Sequence, residues 1–466
     1  MAQVFDLLVV GGGPGGYVAA IKAAQLGKKV GLIEAREVGG TCLNRGCIPT
    51  KTLVHTTDVL TELQHAETLG LQLDGHVSVD WSKLHSRKEE VVQQLRSGVE
   101  SLLAANGVEV ISGFGRLVAN NTVLVGDDSY SASNILLAVG SKPFVPPILG
   151  SDLPGVMSSD ELLDNAAPIP RLVIIGGGVI GVEFAGIYQA MGCKVTIVEL
   201  QQRILPLLDR EIGQTLSMSL KKRGVSILTQ TGLQRIEQNG SELACWVQAK
   251  GEEQSIAADA VLIAIGRRAA TENLCNDDVA LEMQRGQIVV DETFRTSIPG
   301  VYAIGDAVVG SIQLAHAASA QGINAVCAMF GEEAPYDMSV IPSCIYSTPE
   351  IASVGIDEAT AKERGLKVTI GKYVTSGNGK SIIAQADRGF VKLVFDAESE
   401  VLLGAQLVCL RATDIIGGLA QAVVNGLTRH QLASTILPHP TFVEAVGEAL
   451  EDASGQAIHV MPRRSL

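Results

Sequence analysis

Two cysteines, Cys42 and Cys47, stand five residues apart in the run Gly39-Gly40-Thr41-Cys42-Leu43-Asn44-Arg45-Gly46-Cys47-Ile48-Pro49-Thr50-Lys51. Thiols this close can carry an electron pair by opening and closing a disulfide. Five steps of ideal helix rise about 7.5 Å, whereas a disulfide needs Cα atoms within about 4.4–6.8 Å. A bridge therefore calls for a bent or fraying helix, and Gly46 gives the backbone freedom for one. Strain of that kind leaves a disulfide easier to reduce. Zinc competes as a reading, but two cysteines are half a structural site, and no other Cys or His pair has ligand spacing; no metal is expected. Two unrelated buried thiols are the plain alternative. The other six cysteines, Cys193, Cys245, Cys275, Cys327, Cys344 and Cys409, lie singly, mostly in apolar sequence, where free buried thiols are ordinary.

Near the C-terminus, His439-Pro440-Thr441-Phe442-Val443-Glu444 puts a carboxylate five residues after a histidine. Pro438 and Pro440 hold that histidine out of helix, and an amphipathic helix is expected from Phe442 onward. A carboxylate that orients an imidazole makes it a general base. Such spacings also arise by coincidence on protein surfaces. The remaining seven histidines suggest nothing catalytic.

These groups need a scaffold, and a repeat supplies one. Leu8-Val9-Val10 runs into Gly11-Gly12-Gly13-Pro14-Gly15-Gly16, and Val173-Ile174-Ile175 runs into Gly176-Gly177-Gly178-Val179-Ile180-Gly181. Each apolar strand meets a G-x-G-x-x-G turn, a helix follows, and a second strand closes on an acid, Glu34 or Glu199. The acid follows the first glycine by 23 residues in both copies. A lone glycine turn is weak evidence, but strand, helix and acid all recur. The first glycine permits the turn, the second lets the backbone approach a pyrophosphate, and the third lets helix and strand pack. Free N–H groups and the helix dipole then meet the phosphate charge.

Glu199 would accept from ribose hydroxyls and repel a 2′-phosphate, which favours NAD over NADP. Arg203, four residues on, tempers that preference. Two nucleotide folds in one chain suggest a relay, and a flavin is the natural one. Asn134–Gly140 and Ala260–Gly266 read as strands closing the two folds, and Val301-Tyr302-Ala303-Ile304-Gly305-Asp306 as a third strand whose acid could hold a polyol chain.

The 466-residue chain is too long for one core and reads as three or four domains. A net charge of −14 disfavours nucleic acid and anionic lipid as partners, and 4% aromatics argue against a base-stacking surface. An acidic surface could dock a basic module. The chain enters a strand-like run, Val4–Val10, with no basic leader, and no stretch of about 18 apolar residues appears. A cytoplasmic protein that spans no membrane is expected.

Taken together, the motifs resemble those of the pyridine nucleotide–disulfide oxidoreductases of the glutathione reductase structural family. The resemblance spans essentially the whole chain. It rests on Gly40-Thr41-Cys42 to Cys47-Ile48-Pro49, Gly266-Arg267-Arg268, Ile304-Gly305-Asp306, Tyr346-Ser347-Thr348-Pro349-Glu350 and His439-Pro440-Thr441. Val179 and Glu199 resemble the branch that serves as the E3 component of 2-oxo-acid, glycine-cleavage and acetoin complexes, rather than the NADPH-using glutathione type. Mercuric reductases add a C-terminal cysteine pair, absent from Met461-Pro462-Arg463-Arg464-Ser465-Leu466, and single-cysteine relatives lack one of Cys42 and Cys47. Departures from the branch are Thr50 for Ser, Leu437-Pro438 for His-Ala, and Gln321 for an acid.

The resemblance implies an α/β fold with two Rossmann-like dinucleotide-binding domains and a C-terminal α+β interface domain. The expected segments are 1–147 for FAD, 148–270 for NAD, 271–338 completing the FAD site, and 339–466 for dimerisation. It implies oxidation of protein-bound dihydrolipoamide with reduction of NAD⁺, in a homodimer that engages lipoyl domains and an E2-type core. A reductase of another small disulfide is the alternative. By this resemblance Cys42 meets the substrate, Cys47 meets the flavin, and His439, oriented by Glu444, is the base. Lys51 and Glu183 pair beside the flavin. FAD contacts fall to Gly11, Gly13, Gly16, Glu34, Gly40, Thr41, Lys51, Gly115, Val139, Gly140, Ser141, Asp306, Gln313, Leu314, Ala315 and His316. NAD contacts fall to Gly176, Gly178, Val179, Ile180, Gly181, Glu183, Glu199, Leu233 and Gly266.

Overall fold

Strands buried on both faces are apolar along their whole length, and the runs before the two glycine loops are of that kind. In the computed structural model, which describes residues 4–276 and 278–461, they become the inner strands of two parallel sheets. The stretch 462–466, noted above for its lack of cysteine, lies outside the described residues. In the first sheet Val4–Val10 lies between Val30–Glu34 and Asp128–Leu137, with Glu109–Ser112 beyond Val30–Glu34, all parallel. Val301–Ala303 joins Asp128–Leu137 from far along the chain, in register Val301 to Ile135. Its last residues turn aside as a short 3-10 helix, Gly305–Ala307, so the strand ends three residues before Asp306. Gly115–Ala119 and Thr122–Val125 extend the sheet as an antiparallel hairpin.

The second sheet repeats the plan. Arg171–Ile175 pairs with Lys194–Val198 and Ala260–Ile263, flanked by Ser226–Leu228 and Val156–Met157. A three-stranded antiparallel meander over 231–258, not anticipated from the sequence, is inserted before the strand Ala260–Ile263. The two folds are laced by a two-stranded link, Ser141–Pro143 against Arg267–Ala269.

From residue 343 the chain forms a five-stranded antiparallel sheet among the described residues, covered by helices Ala412–Val424 and Glu444–Ala453. The expected helix start at Phe442 falls two residues later, because the Glu444 carboxylate turns back to the Thr441 amide. No helix of the described residues is long and apolar enough to cross a membrane.

Candidate active site

Cys42 and Cys47 are bonded, with Cα atoms 4.6 Å apart. The approach is possible because the helix is interrupted: Gly40–Arg45 ends at Gly46, and Cys47–Gln64 begins anew. A Cβ at Gly46 would stand 2.9 Å from the Thr41 carbonyl, so the break needs glycine. The cysteine segment is seated on the first glycine loop. Gly39 N donates to Gly12 O at 2.8 Å, and a Cβ at Gly40 would lie 2.6 Å from Gly13 Cα.

The other thiols are free. Burial pushes Cys193 and Cys344 up to about 11, and Cys245 and Cys409 up to about 12, and it raises Cys275 as well. Thiolate is the reactive form. Iodoacetamide at pH 7.5 is therefore expected to label the oxidised protein at about zero sites per chain, and about two after dithiol reduction. Intact mass would show this, and a third fast-labelling thiol would contradict it.

The glycine loops are built alike. Gly11 and Gly176 have φ of +104° and +109°, and a Cβ on either would strike the carbonyl of Ala138 or Ala264 in the neighbouring strand. Helices Pro14–Gln25 and Val179–Ala190 start at Gly13 and Gly178 without a side-chain cap. Their first-turn amides are thus left for an anion. Space over Gly178 is open, since a Cβ there would meet nothing within 4 Å. The donors fit a dinucleotide pyrophosphate at each loop.

Each acid does more than the sequence suggests. Glu34 Oε2 accepts from Gly12 N at 2.6 Å and Oε1 from Arg36 N at 2.8 Å. Buried Glu199 does the same with Gly177 N and Gln201 N, both at 2.6 Å. The carboxylate tethers its own loop and keeps lone pairs for a ribose. Arg203 turns to the carbonyls of Pro206 and Leu208, at 2.8 and 3.0 Å. NAD⁺ is accordingly expected to outperform NADP⁺ in kcat/KM by about 100-fold. Glu199→Ala should narrow that ratio and also lower stability by about 1–2 kcal/mol through the orphaned Gly177 amide. A ratio unchanged in this variant would count against the acid as discriminator.

Lys51, one turn into the helix after Cys47, meets Glu183 on the helix of the second loop, Nζ to the carboxylate oxygens at 2.9 and 3.0 Å. Tyr346 N donates to Glu183 Oε1 at 2.9 Å, and the Tyr346 ring lies under Lys51 Nζ. A buried carboxylate is tolerated when paired in this way. The pair ties the cysteine helix to the second fold.

Asp306 is held by Ser141, whose Oγ donates to Oδ2 at 2.5 Å. Ser141 in turn receives Arg267 Nε on its Oγ and Nη2 on its carbonyl, at 2.8 and 2.7 Å. Beside them Gln321 Oε1 accepts from Gly305 N, while its Nε2 donates to Ser311 Oγ. Gly140 and Gly266 bracket the link between the folds, and Val139 packs in the first core. Gly115 sits where a Cβ would press on Val10, Ile33 and Val123 at the strand ends. Gln313 and Leu314 lead into helix Ala315–Phe330, which begins with Ala315 and His316, and His316 Nε2 lies 2.7 Å from Pro342 O. Leu233 packs beneath the second sheet.

His439 Nδ1 stands 2.8 Å from Glu444 Oε1, and Thr441 N donates to Glu444 Oε2 at 2.7 Å. These bonds, the Thr441 amide foremost, hold the Glu444 carboxyl below the usual carboxylate range. With 77% of its side chain exposed in the single chain, His439 points its free nitrogen outward. Leu437, the departure before it, rests against Gly447 of the tail helix.

Residues 5–322 match the family described as pyridine nucleotide-disulphide oxidoreductase, and residues 341–450 match its dimerisation domain. The chain belongs to this family. Dihydrolipoyl dehydrogenase of Zymomonas mobilis is 41% identical, the match covering 98% of this oxidoreductase and all of that protein. The protein of the same name from Bacillus subtilis is 37% identical, with coverage of 98% and 100%. Among solved structures, LpdA of Mycobacterium tuberculosis superposes with a TM-score of 0.88 at 27% identity, covering 96% of this chain and 99% of that one. A Cu(II) complex of the HOCl-induced flavoprotein disulfide reductase RclA of Escherichia coli gives 0.86 at 29%, with the same coverage. The C-terminal antiparallel unit of this oxidoreductase is thus a dimerisation domain, and the enzyme a homodimer.

Arg267, Tyr346 and Thr441 stand in motifs quoted above, but residue type and spacing alone assign them no role. The arginines directly after the apolar run Ala260–Gly266 are the available signal for Arg267. Backbone amides such as Thr441 N carry none.

Proposed function

We propose that this oxidoreductase converts protein-bound dihydrolipoamide to lipoamide and reduces NAD⁺, as the E3 component of a 2-oxo-acid, glycine-cleavage or acetoin dehydrogenase complex. The observation that carries the reading is the Cys42–Cys47 disulfide seated against the first glycine loop and joined through Lys51–Glu183 to the second. The first loop, with Glu34, Asp306 and the start of helix Ala315–Phe330, would hold FAD; the second, with Glu199, would hold NAD. When bound, these two supply the two-electron chemistry that links a dithiol to a nicotinamide.

Thiol exchange itself needs only the chain's own residues. His439 takes the proton of the first substrate thiol while Glu444 fixes its Nδ1. The substrate thiolate attacks Cys42 Sγ, a mixed disulfide forms, and Cys47 leaves as thiolate. Attack by the second substrate sulfur on the mixed disulfide releases lipoamide and the Cys42 thiol. The exposed His439–Glu444 pair of one protomer serves the cysteines of its partner, so the dimer is the active form. Acidic surfaces of the dimer would receive an E2-type core in the cytoplasm.

Anaerobic titration with dihydrolipoamide, followed by visible absorbance, tests the scheme. A new long-wavelength band after one equivalent is expected, with NADH produced on adding NAD⁺. NADPH-dependent reduction of glutathione disulfide without dihydrolipoamide turnover would overturn it.

A further inference from the structure

Residues 341–450 form the dimerisation domain, yet the hairpin loop between its strands Ser343–Ile345 and Ile351–Gly355 reaches both nucleotide folds. This loop, residues 346–350, is pinned along its length. Ile345 before it is buried in one apolar cluster with Ile174 and Tyr188 of the second fold. Thr348 O accepts from Ser219 Oγ at 3.0 Å, on helix Arg210–Lys222 of that fold. The Glu350 carboxylate accepts from Thr413 N and Oγ1, and Glu350 O accepts from Cys409 N.

Tyr346 opens the loop and meets the Lys51–Glu183 pair twice. Its N–H and Lys51 Nζ share Glu183 Oε1 as acceptor, at 2.9 and 3.0 Å, and Lys51 Nζ also reaches Oε2 at 2.9 Å. The Tyr346 ring centroid lies 4.6 Å from the same Nζ. Lys51 comes from the cysteine helix Cys47–Gln64, Glu183 from the helix of the second glycine loop, and Tyr346 from the dimerisation domain. Two nucleotide folds and the dimerisation domain thus converge on one ammonium. The half-buried phenol is raised by burial first, then by the charges of Cys344 and Glu183, so it stays neutral at physiological pH. The contact is therefore a cation–π one, in which the ring quadrupole attracts the charge.

The two contacts have separate tasks. The Tyr346 backbone holds the acid whatever side chain stands at 346, whereas the ring holds the cation. A lysine ammonium rides on a flexible four-carbon stem, and 30% of the Lys51 side chain is exposed. A carboxylate on another fold leaves such a group room to swing. We propose that Tyr346 is a positioning residue through which the dimerisation domain fixes the Lys51 ammonium between the cysteine helix and the second nucleotide fold. A charge fixed in advance stabilises opposite charge developing beside it better than a mobile one does. The redox consequence rests on the reading that the flavin lies beside Lys51: the fixed cation makes that flavin easier to reduce.

The test treats full-length holoenzyme with trace acetic anhydride and reads the acetylation rate of each lysine by peptide mass. Acylation needs the amine lifted clear of its partners. Tyr346→Leu keeps the backbone bond and much of the bulk but removes the ring, and should acetylate Lys51 about fivefold faster, as expected for loss of a part-exposed cation–π contact. Tyr346→Phe keeps the ring face and should leave the rate at the parent value. Lys88 and Lys392, both buried, should react at parent rates in both variants; Lys392 pairs with Asp209 across the junction of the second fold and the dimerisation domain. A Lys51 rate unmoved by Tyr346→Leu, an equal rise in Tyr346→Phe, or a rise shared by Lys392 would overturn the proposal, the last by showing a loosened junction. The midpoint potential of the bound flavin should turn more negative in Tyr346→Leu and hold in Tyr346→Phe. A faster Lys51 with an unmoved potential would refute the placing of the flavin beside Lys51 and leave the positioning role standing.

Discussion

Cys47→Ser will lower NAD⁺-dependent oxidation of dihydrolipoamide by at least about 10³-fold while leaving a folded dimer. Without the second sulfur no disulfide can form at Cys42, so dihydrolipoamide meets a lone thiol and its electron pair has no acceptor. Substrate binding and the seating of the segment should survive, because Gly39 and Gly40 contact the first loop through backbone alone. The bridge closes a loop of only a few residues, so its loss restores little entropy to the unfolded chain, worth on the order of 2 kcal/mol. Stability should therefore be compared with dithiol-reduced parent enzyme, in which that constraint is already absent. Oxidised lipoamide, whose disulfide the Cys42 thiolate can open, should instead leave a mixed disulfide on Cys42 that intact mass detects and that a serine at position 47 cannot resolve. Appreciable steady-state turnover would refute the cysteine assignment. A protein whose only task is to hold a complex together would keep that task in this variant, so complex assembly measured alongside separates the two roles.

Periodicity and spacing carried much of the architecture. The doubled strand–glycine–helix–acid pattern located both parallel sheets, since a tight turn and a close helix–strand contact admit few residue types. Contacts remote in sequence were less legible. Val301–Ala303 adds to the first sheet beside a strand more than 160 residues earlier, and no local pattern encodes which sheet it joins. Lys51 and Glu183, 132 residues apart, were paired by resemblance alone. The meander over 231–258 was missed because alternating polar strands of a half-exposed sheet give a weak signal.

Local hydrogen bonding was the other blind spot. Spacing marks Glu199 as a ribose acceptor, but the first partners of Glu199 and Glu34 alike are the amides of their own loops. The same substitution will then disturb both cofactor choice and loop geometry. Arg267 follows this logic as well, since its Nε donates to the same Ser141 hydroxyl that donates to Asp306. Where one residue serves structure and chemistry together, stability and KM must be measured on the same variant.

His439→Gln is expected to cost about 10²–10⁴-fold in kcat/KM for dihydrolipoamide, the usual worth of a positioned base. Glu444→Gln should be nearly as damaging, for a reason the geometry makes specific. The Glu444 carboxylate accepts from both Thr441 N and His439 Nδ1–H, which leaves His439 Nε2 as the basic nitrogen. A carboxamide can still accept from Thr441, but it then offers an N–H to His439. The imidazole would answer by moving its proton to Nε2, and the base would be lost. Glu444→Asp keeps the charge and should recover part of the activity. Stability is linked to the same charge. The Glu444 carboxyl is depressed in the folded protein, so its contribution is present above the ordinary glutamate range and fades as pH falls through the lowered value. Parent enzyme and Glu444→Gln should therefore differ in thermal midpoint at neutral pH and converge in acid. A gap that persists below the depressed carboxyl value would show that Glu444 stabilises the loop by packing rather than by charge.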